Sequence, residues 1–119
     1  MLNILFMVVL SCIPVNAQNI ITVDSAIDDQ VNTMDSNITL REAISIADRG
    51  DIINFDHSLS GETITLTRGE ILIFRAITID ASNLARGITI DANATAINRL
   101  RVFNIRNDVT MQNLIITGG

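Results

Sequence analysis

The sequence contains no lysine, no tryptophan and no tyrosine, and it has one cysteine and one proline. All eight basic residues are arginines, and the formal net charge is −5. Nucleic-acid binding needs a clustered basic footprint, and electrostatic membrane binding needs a polybasic segment, so the composition argues against both. Aromatic residues make up 3% of the chain, which leaves few platforms on which bases or sugars could stack.

The first 17 residues carry no charged side chain. Ile4 to Leu10 is an unbroken apolar run that is too short to span a bilayer. Pro14 ends the run, and Val15-Asn16-Ala17 offers small residues at the two positions that a signal peptidase recognises. This pattern predicts a secretory signal peptide over residues 1–17 with Gln18 as the new N-terminus. A residual apolar strand is the alternative.

The only cysteine, Cys12, lies inside this predicted signal peptide. The mature chain would therefore form no disulfide and would be held together by packing alone. Val9-Leu10-Ser11-Cys12 also weakly resembles a bacterial lipoprotein box, although Leu10 is a poor match, and lipidation would tether the protein to a membrane. We predict a secreted or cell-surface protein with no transmembrane helix in the mature chain.

The clearest pattern is Ile77-Thr78-Ile79-Asp80-Ala81, which is repeated letter for letter at residues 88–92. Each copy alternates apolar and polar residues, and β-branched residues dominate, which indicates a short strand with one buried face. The copies lie eleven residues apart. Because a solenoid turn takes roughly 20–29 residues, we expect the copies on neighbouring sides of one turn.

Similar short alternating segments fill the region from residue 51 to the end, and Ile71 to Phe74 is a continuous apolar run that predicts a more deeply buried strand. We predict a mainly β fold: a right-handed parallel β-helix with one capping α-helix. The chain divides into three parts. Residues 1–17 are the signal peptide. Residues 18–50 hold a strand (19–23), an acidic loop and the helix. Residues 51–119 are the first turns of the β-helix, which we expect to continue beyond residue 119.

The predicted inward-facing set is Ile64, Leu66, Ile77, Ile79, Ile88, Ile90 and Phe103. We also expect asparagines at the corners, where left-handed backbone is useful: Asn83, Asn93, Asn98 and Asn107.

A helix is predicted from Thr39 to Gly50. Thr39 and Glu42 have the spacing of a capping box, and Gly50 is predicted to supply the left-handed C′ position with Arg49 at the negative helix end. One apolar face is formed by Leu40, Ala43, Ile44 and Ala47, and the other side by Arg41, Glu42, Ser45, Asp48 and Arg49. This helix is predicted to cover the end of the first solenoid turn, which would otherwise expose an unpaired strand edge.

Several of these segments together are similar to a known module. They are Thr39-Leu40-Arg41-Glu42-Ala43-Ile44, then Gly50-Asp51-Ile52-Ile53-Asn54-Phe55, then Leu59-Ser60-Gly61. They resemble the CSLREA domain, which precedes a right-handed parallel β-helix in large bacterial surface proteins. The resemblance implies a secreted or surface protein with further solenoid and an anchoring domain. Ile38 stands where many relatives have cysteine, so their local disulfide is absent.

Few residues suggest a catalytic, ligand-binding or metal-binding role. Asp80 and Asp91 occupy matching repeat positions and could form a carboxylate pair if both faced one groove, but local hydrogen bonding to backbone N–H groups fits better. His57 is predicted to be a loop residue, and Arg41 to bond acidic or carbonyl groups beside the helix cap. The acidic loop from Asp24 to Asn37 could hold calcium, but it lacks EF-hand spacing and glycine, so a solvated polar loop fits better.

We predict no catalytic, cofactor-binding or metal residues, and a structural cap formed by Thr39, Leu40, Arg41, Glu42, Ile44 and Gly50. The predicted function is an N-terminal capping module of a secreted or cell-surface bacterial β-helix protein with a structural or adhesive role. The alternatives are a fragment of a carbohydrate-active enzyme (polysaccharide lyase or hydrolase) whose catalytic turns lie outside this chain, and a glycan-binding module. Expected partners are surface glycans or proteins of host or neighbouring cells, with no nucleic acid and no cofactor.

Overall fold

The computed structural model describes residues 18–28 and 36–119. The predicted signal peptide and Cys12 lie outside the described residues, and so do residues 29–35 of the acidic loop. Within the described ranges the chain is mainly β, and no helix there has the length and apolar character needed to cross a membrane. The elements in chain order are β1 (Ile20–Val23), α1 (Leu40–Ile46), β2 (Ile52–Phe55), a short 3-10 helix (His57–Leu59), β3 (Thr63–Thr65), β4 (Ile71–Ile73), β5 (Ile77–Asp80), β6 (Ile88–Asp91), β7 (Phe103–Ile105), β8 (Val109–Gln112) and β9 (Leu114–Thr117).

The strands form three parallel sheets. Sheet A has the order β1-β2-β5-β8, sheet B has β3-β6-β9, and sheet C has β4-β7. Each pairing between these strands is parallel. From β2 onward the chain passes through sheets A, B and C in that order and then begins again at β5 and at β8; one such passage is called a circuit below. The two Ile-Thr-Ile-Asp copies, β5 and β6, lie on different sheets, which agrees with the prediction that they are not the same side of successive turns.

Some corners between the sheets keep the same length from one circuit to the next, and others change in length. The corner from sheet C to sheet A has three residues in both circuits, 74–76 and 106–108. The corner from sheet B to sheet C grows from five residues, 66–70, to eleven, 92–102. The corner from sheet A to sheet B has seven residues twice, 56–62 and 81–87, and then a single residue, Asn113. Strand register is therefore kept while loop length changes.

Asn113 makes the tightest of these corners. Its φ is 60°, in the left-handed region that asparagine tolerates better than most residues. Its side-chain amide donates to the main-chain oxygens of Ala81 (3.1 Å) and Leu84 (2.9 Å) in the preceding circuit. One residue therefore turns the chain and also bonds the loop that occupies this corner one circuit earlier.

The asparagines predicted at the corners behave differently from one another. Asn93 has the expected left-handed backbone, with φ 58°. Asn83 and Asn107 do not need it, because their side-chain amides instead donate to main-chain oxygens of the preceding circuit, Phe55 O at 2.8 Å and Phe74 O at 3.2 Å. The prediction of a left-handed role is wrong for Asn83, Asn98 and Asn107, because hydrogen bonding rather than backbone geometry places the first and last of them.

The core is one continuous cluster that fills the space between the sheets and helix α1. Six of the seven residues predicted to face inward are buried: Ile64, Leu66, Ile77, Ile79, Ile88 and Ile90. The seventh, Phe103, is only partly buried, because β7 is the last strand of sheet C in the described structure and nothing covers its far side.

The apolar run that includes strand β4 is not buried on both faces, so that prediction is wrong. Ile71 and Ile73 are buried, whereas Leu72 is 44% exposed and Phe74 is 54% exposed. The strand keeps the period-two alternation of a one-sided sheet, and its outward positions happen to be apolar. This leaves a half-exposed apolar surface beside helix α1.

Candidate functional site

The predicted capping box is present at the start of helix α1. The Thr39 hydroxyl accepts from the Glu42 main-chain N–H, and Glu42 Oε1 accepts from the Thr39 N–H, both at 3.2 Å. Glu42 is buried, although the helical pattern assigns it to the polar side. That assignment is wrong because the carboxylate folds back onto the helix start instead of extending into solvent.

The apolar face of α1 lies against the end of the core, as its spacing predicts. Leu40, Ala43, Ile44 and Ala47 are at most 7% exposed and belong to the same cluster as the inward strand residues. Ile46, on the other side of the helix, is 52% exposed. Seven residues of helix are marginal alone, so this packing is what holds α1 in place.

The helix ends earlier than predicted. Ile46 is its last residue, and Ala47 already has an extended conformation with its N–H still bonded to Ala43 O. Gly50 is therefore not the C′ residue, and Arg49 lies outside the last helical turn. Gly50 does have a left-handed backbone, φ 91°, but it serves the following turn, in which the Asp51 N–H donates to Asp48 O at 3.0 Å.

Asp51 is the residue that directs this exit, and the sequence analysis did not single it out. Its buried carboxylate accepts the Asp48 N–H (2.8 Å) and the Asn19 N–H (3.1 Å). It therefore ties the end of the helix to the start of β1. The signal available in the sequence was an aspartate placed directly after the glycine that follows the helix.

Arg41 connects three separate segments. Its guanidinium bonds both carboxylate oxygens of Asp28, with Nε–Oδ1 at 2.7 Å and Nη2–Oδ2 at 2.9 Å. It also donates to the main-chain oxygens of Gly69 (2.7 Å) and Glu70 (3.2 Å), directly before β4. Arg41 thus bonds acidic and carbonyl groups beside the cap, which is the role predicted for it.

Asp28 is the centre of this arrangement. Beyond Arg41, its Oδ2 accepts the main-chain N–H groups of Thr67 (2.7 Å) and Arg68 (3.2 Å), and its own carbonyl accepts the Thr67 hydroxyl at 2.7 Å. Burial raises the pKa of Asp28, but the hydrogen bonds from Arg41 and Thr67 outweigh this and hold the pKa below its ordinary value. The prediction of a solvated loop is therefore wrong at Asp28, whose side chain is 1% exposed.

A cleft of about 250 Å³ separates α1 from β4. It is lined by Arg41, Ile44 and Ser45 of the helix and by residues 71–75 with Ile77. At the far end of the cleft Arg75 Nη1 lies 3.4 Å from Ala47 O, and its guanidinium carbon lies 5.5 Å from the centre of the Phe74 ring. Arg41 and Arg75 therefore connect the helix segment to the residues on either side of β4.

No protein-family model, curated protein or solved structure matches this chain. The resemblance to the CSLREA module stays a prediction, and the contacts above carry the argument for function.

The other candidate residues are not brought together. Asp80 and Asp91 end strands of different sheets, and each accepts a main-chain N–H two residues on, from Ser82 and Asn93, at 2.8 Å. Bonds from Ser82 lower the pKa of Asp80. His57 begins the short 3-10 helix at the surface. In residues 18–28 and 36–119 no three histidine, cysteine, aspartate or glutamate side chains are close enough to hold a metal ion.

Proposed function

We propose that the chain is the N-terminal capping module of a right-handed parallel β-helix in a secreted or cell-surface bacterial protein with a structural or adhesive role. The parallel registers support the β-helix, since inward residues of successive circuits align into columns. One column joins Ile53, Ile79 and Met111, and another joins Ile64, Ile90 and Ile116. Stacking of this kind buries side chains that a single thin circuit could not bury alone.

The observation that carries the capping role is the position of α1. Its apolar face covers the first end of the columns, and Arg41 bonds the oxygens of Gly69 and Glu70 that precede the edge strand β4. Ile71 and Ile73 use their main-chain groups to pair with β7. The main-chain groups of Leu72 alternate with these and face the helix side. Arg41 thus holds the helix beside the edge onto which another strand could otherwise add.

The opposite end of the columns is the surface onto which a further turn would stack in this proposal. Exposure rises along the second column from 1% at Ile64 and 0% at Ile90 to 50% at Ile116. Ile105 is 47% exposed although it pairs with the buried Ile73. An apolar end of this kind gains free energy when a further layer covers it.

Secretion rests on the sequence. The uncharged apolar segment before Gln18 and the resemblance to surface proteins support it. A structural or adhesive role is supported by polar side chains that bond within the fold, such as Asp28, Arg41 and Asn113.

The capping role is tested with Ile44→Asp and the matched control Ile46→Asp. Both place a new carboxylate on the same helix, but Ile44 is 7% exposed and Ile46 is 52% exposed. We expect Ile44→Asp to lower the thermal midpoint and to aggregate in light scattering, because it removes the cover from the β4 edge. Ile46→Asp should behave like the parent. If both variants stay monomeric with unchanged midpoints, α1 is not a cap.

A further inference from the structure

Arginines cluster at one corner of this acidic chain. Arg68 lies in the corner 66–70 and Arg99 and Arg101 lie in the corner 92–102, one circuit later. These three side chains line one open pocket of about 660 Å³ together with Gly69, Glu70 and Leu100. The net charge of −5 would not suggest such a cluster.

The pocket keeps an excess of positive charge. Of the carboxylates in the described part of the chain, only Glu70 lines this pocket, and it is bonded by Arg101 and by the Asn104 amide at 3.1 Å. These bonds, together with the nearby charge of Arg106, lower the pKa of Glu70, so it stays ionised. Among the described residues, neither Arg68 nor Arg99 forms an ion pair. Asp28 bonds the main-chain N–H of Arg68, but its charge is matched by Arg41.

One ion pair from Glu70 compensates Arg101, which leaves Arg68 and Arg99 facing solvent within one pocket. A guanidinium matches the planar geometry of a carboxylate and also bonds sulfate in a forked manner, whereas a lysine presents a point charge. The arrangement thus fits a ligand that carries several such anionic groups.

We propose that this pocket binds an anionic polysaccharide, whose sugar units carry sulfate or carboxylate groups. A polysaccharide fits better than a nucleic acid because the rest of the chain is acidic and would repel a duplex, which carries one phosphate charge per ~1.7 Å along its whole axis. A polysaccharide with fewer charges along its length is repelled less beyond the patch. This binding function goes beyond the capping role and does not depend on it.

The test measures binding of fluorescently labelled dextran sulfate by anisotropy, with neutral dextran of the same length as the reference. The pocket variant is Arg68→Gln with Arg99→Gln. The matched control is Arg49→Gln with Arg86→Gln, two exposed arginines elsewhere. Both doubles change the formal net charge from −5 to −7. A charge-assisted hydrogen bond is worth enough that losing it weakens binding about tenfold or more, so we expect at least that loss for the pocket variant and less than about twofold for the control.

Thermal unfolding of each variant shows whether a loss of binding is caused by a loss of folding. If the pocket double variant does not fold, the single variant Arg99→Gln replaces it, because no other residue bonds the Arg99 side chain in the described structure. Hyaluronan in place of dextran sulfate distinguishes carboxylate from sulfate recognition, and tighter binding of either supports the proposal. An equal loss in both doubles, equal binding of neutral dextran, tighter binding of duplex DNA, or no binding to either anionic polymer would each overturn it.

Discussion

The Arg41 guanidinium and the Asp28 carboxylate form a two-point ion pair that joins the helix to the loop preceding it. Asp28 has an ordinary pKa of 3.8, and in the fold its pKa is lower than this value. A carboxyl group whose pKa falls on folding stabilises the protein above its unfolded-state pKa. That stabilisation is lost as the pH falls through the pKa of the folded state. The ion pair therefore makes the fold sensitive to acid below pH 3.8.

The first prediction concerns Asp28→Asn. At pH 7 the variant should be less stable by about 3 kcal/mol, because Arg41 would be left half-buried without a countercharge. The difference from the parent should shrink as the pH falls below 3.8, because the Asp28 carboxylate of the parent becomes protonated as the pH passes through its lowered pKa. Urea unfolding from pH 7 down through this acidic range measures this. Asp108→Asn is the control, since Asp108 is exposed and forms no ion pair in the described structure. A constant difference across the pH range would contradict the role assigned to the ion pair.

The second prediction concerns the inward columns. Ile79→Ala should lower the free energy of unfolding by about 2–5 kcal/mol, because Ile79 is 0% exposed and its truncation leaves a cavity between β2 and β8. Ile97→Ala makes the same chemical change at a residue that is 97% exposed, and it should change stability by less than about 0.5 kcal/mol. Chemical denaturation of both variants is the measurement. Comparable losses would show that the columns are not the stabilising core.

The third prediction separates the two tasks of Asn113. Asn113→Gly removes the amide bonds to Ala81 and Leu84 but keeps the left-handed backbone unstrained, whereas Asn113→Ala removes the bonds and adds strain. Asn113→Gly should lower the free energy of unfolding by roughly 1–3 kcal/mol. Asn113→Ala should lower it by about 1 kcal/mol more.

Asn93 provides the comparison for this pair, because its backbone is also left-handed but its side chain bonds no other circuit. Asn93→Ala should lower the free energy of unfolding by about 1 kcal/mol, and Asn93→Gly should leave it nearly unchanged. Thermal unfolding of the four variants gives the answer. A loss at Asn93→Gly as large as that at Asn113→Gly would remove the bonding role from Asn113.

The fourth prediction concerns export. Mass spectrometry of the exported protein should find Gln18 at the N-terminus, because the uncharged apolar segment and Val15-Asn16-Ala17 are typical of a cleavable signal peptide. Ala17→Pro, which places an unsuitable residue at the cleavage position, should leave the precursor uncut. Exported material that begins at Met1 would show that the segment is not removed.

Local patterns predicted local features well. Period-two alternation located strands such as β5 and β6, and the spacing of Thr39 and Glu42 located the start of α1. The end of the helix was misplaced, because it depends on the Asp51 carboxylate accepting the N–H of Asn19, which lies 32 residues earlier. The apolar run in β4 concealed its alternation, since Leu72 and Phe74 are apolar although they face outward.

The arginine pocket could not be predicted from composition. A net charge averages over the whole surface, whereas Arg68 and Arg99 approach each other only because one circuit of chain returns between them. The composition therefore predicts no basic cluster. The prediction of glycan partners rests on the resemblance and not on these residues.

The corners of unequal length bear on how such a chain can change. Because Asn113 alone spans a corner that elsewhere takes seven residues, and because the corner 92–102 holds six residues more than its counterpart 66–70, peptide can be inserted or deleted there without shifting any strand pairing. The parallel sheets supply a framework, and the corners are segments whose length can change, much as antibody loops vary on a constant framework. Arg99 and Arg101 lie in the longest of these segments. Recognition by this surface could therefore diversify through insertions, while the packing that keeps the protein folded stays the same.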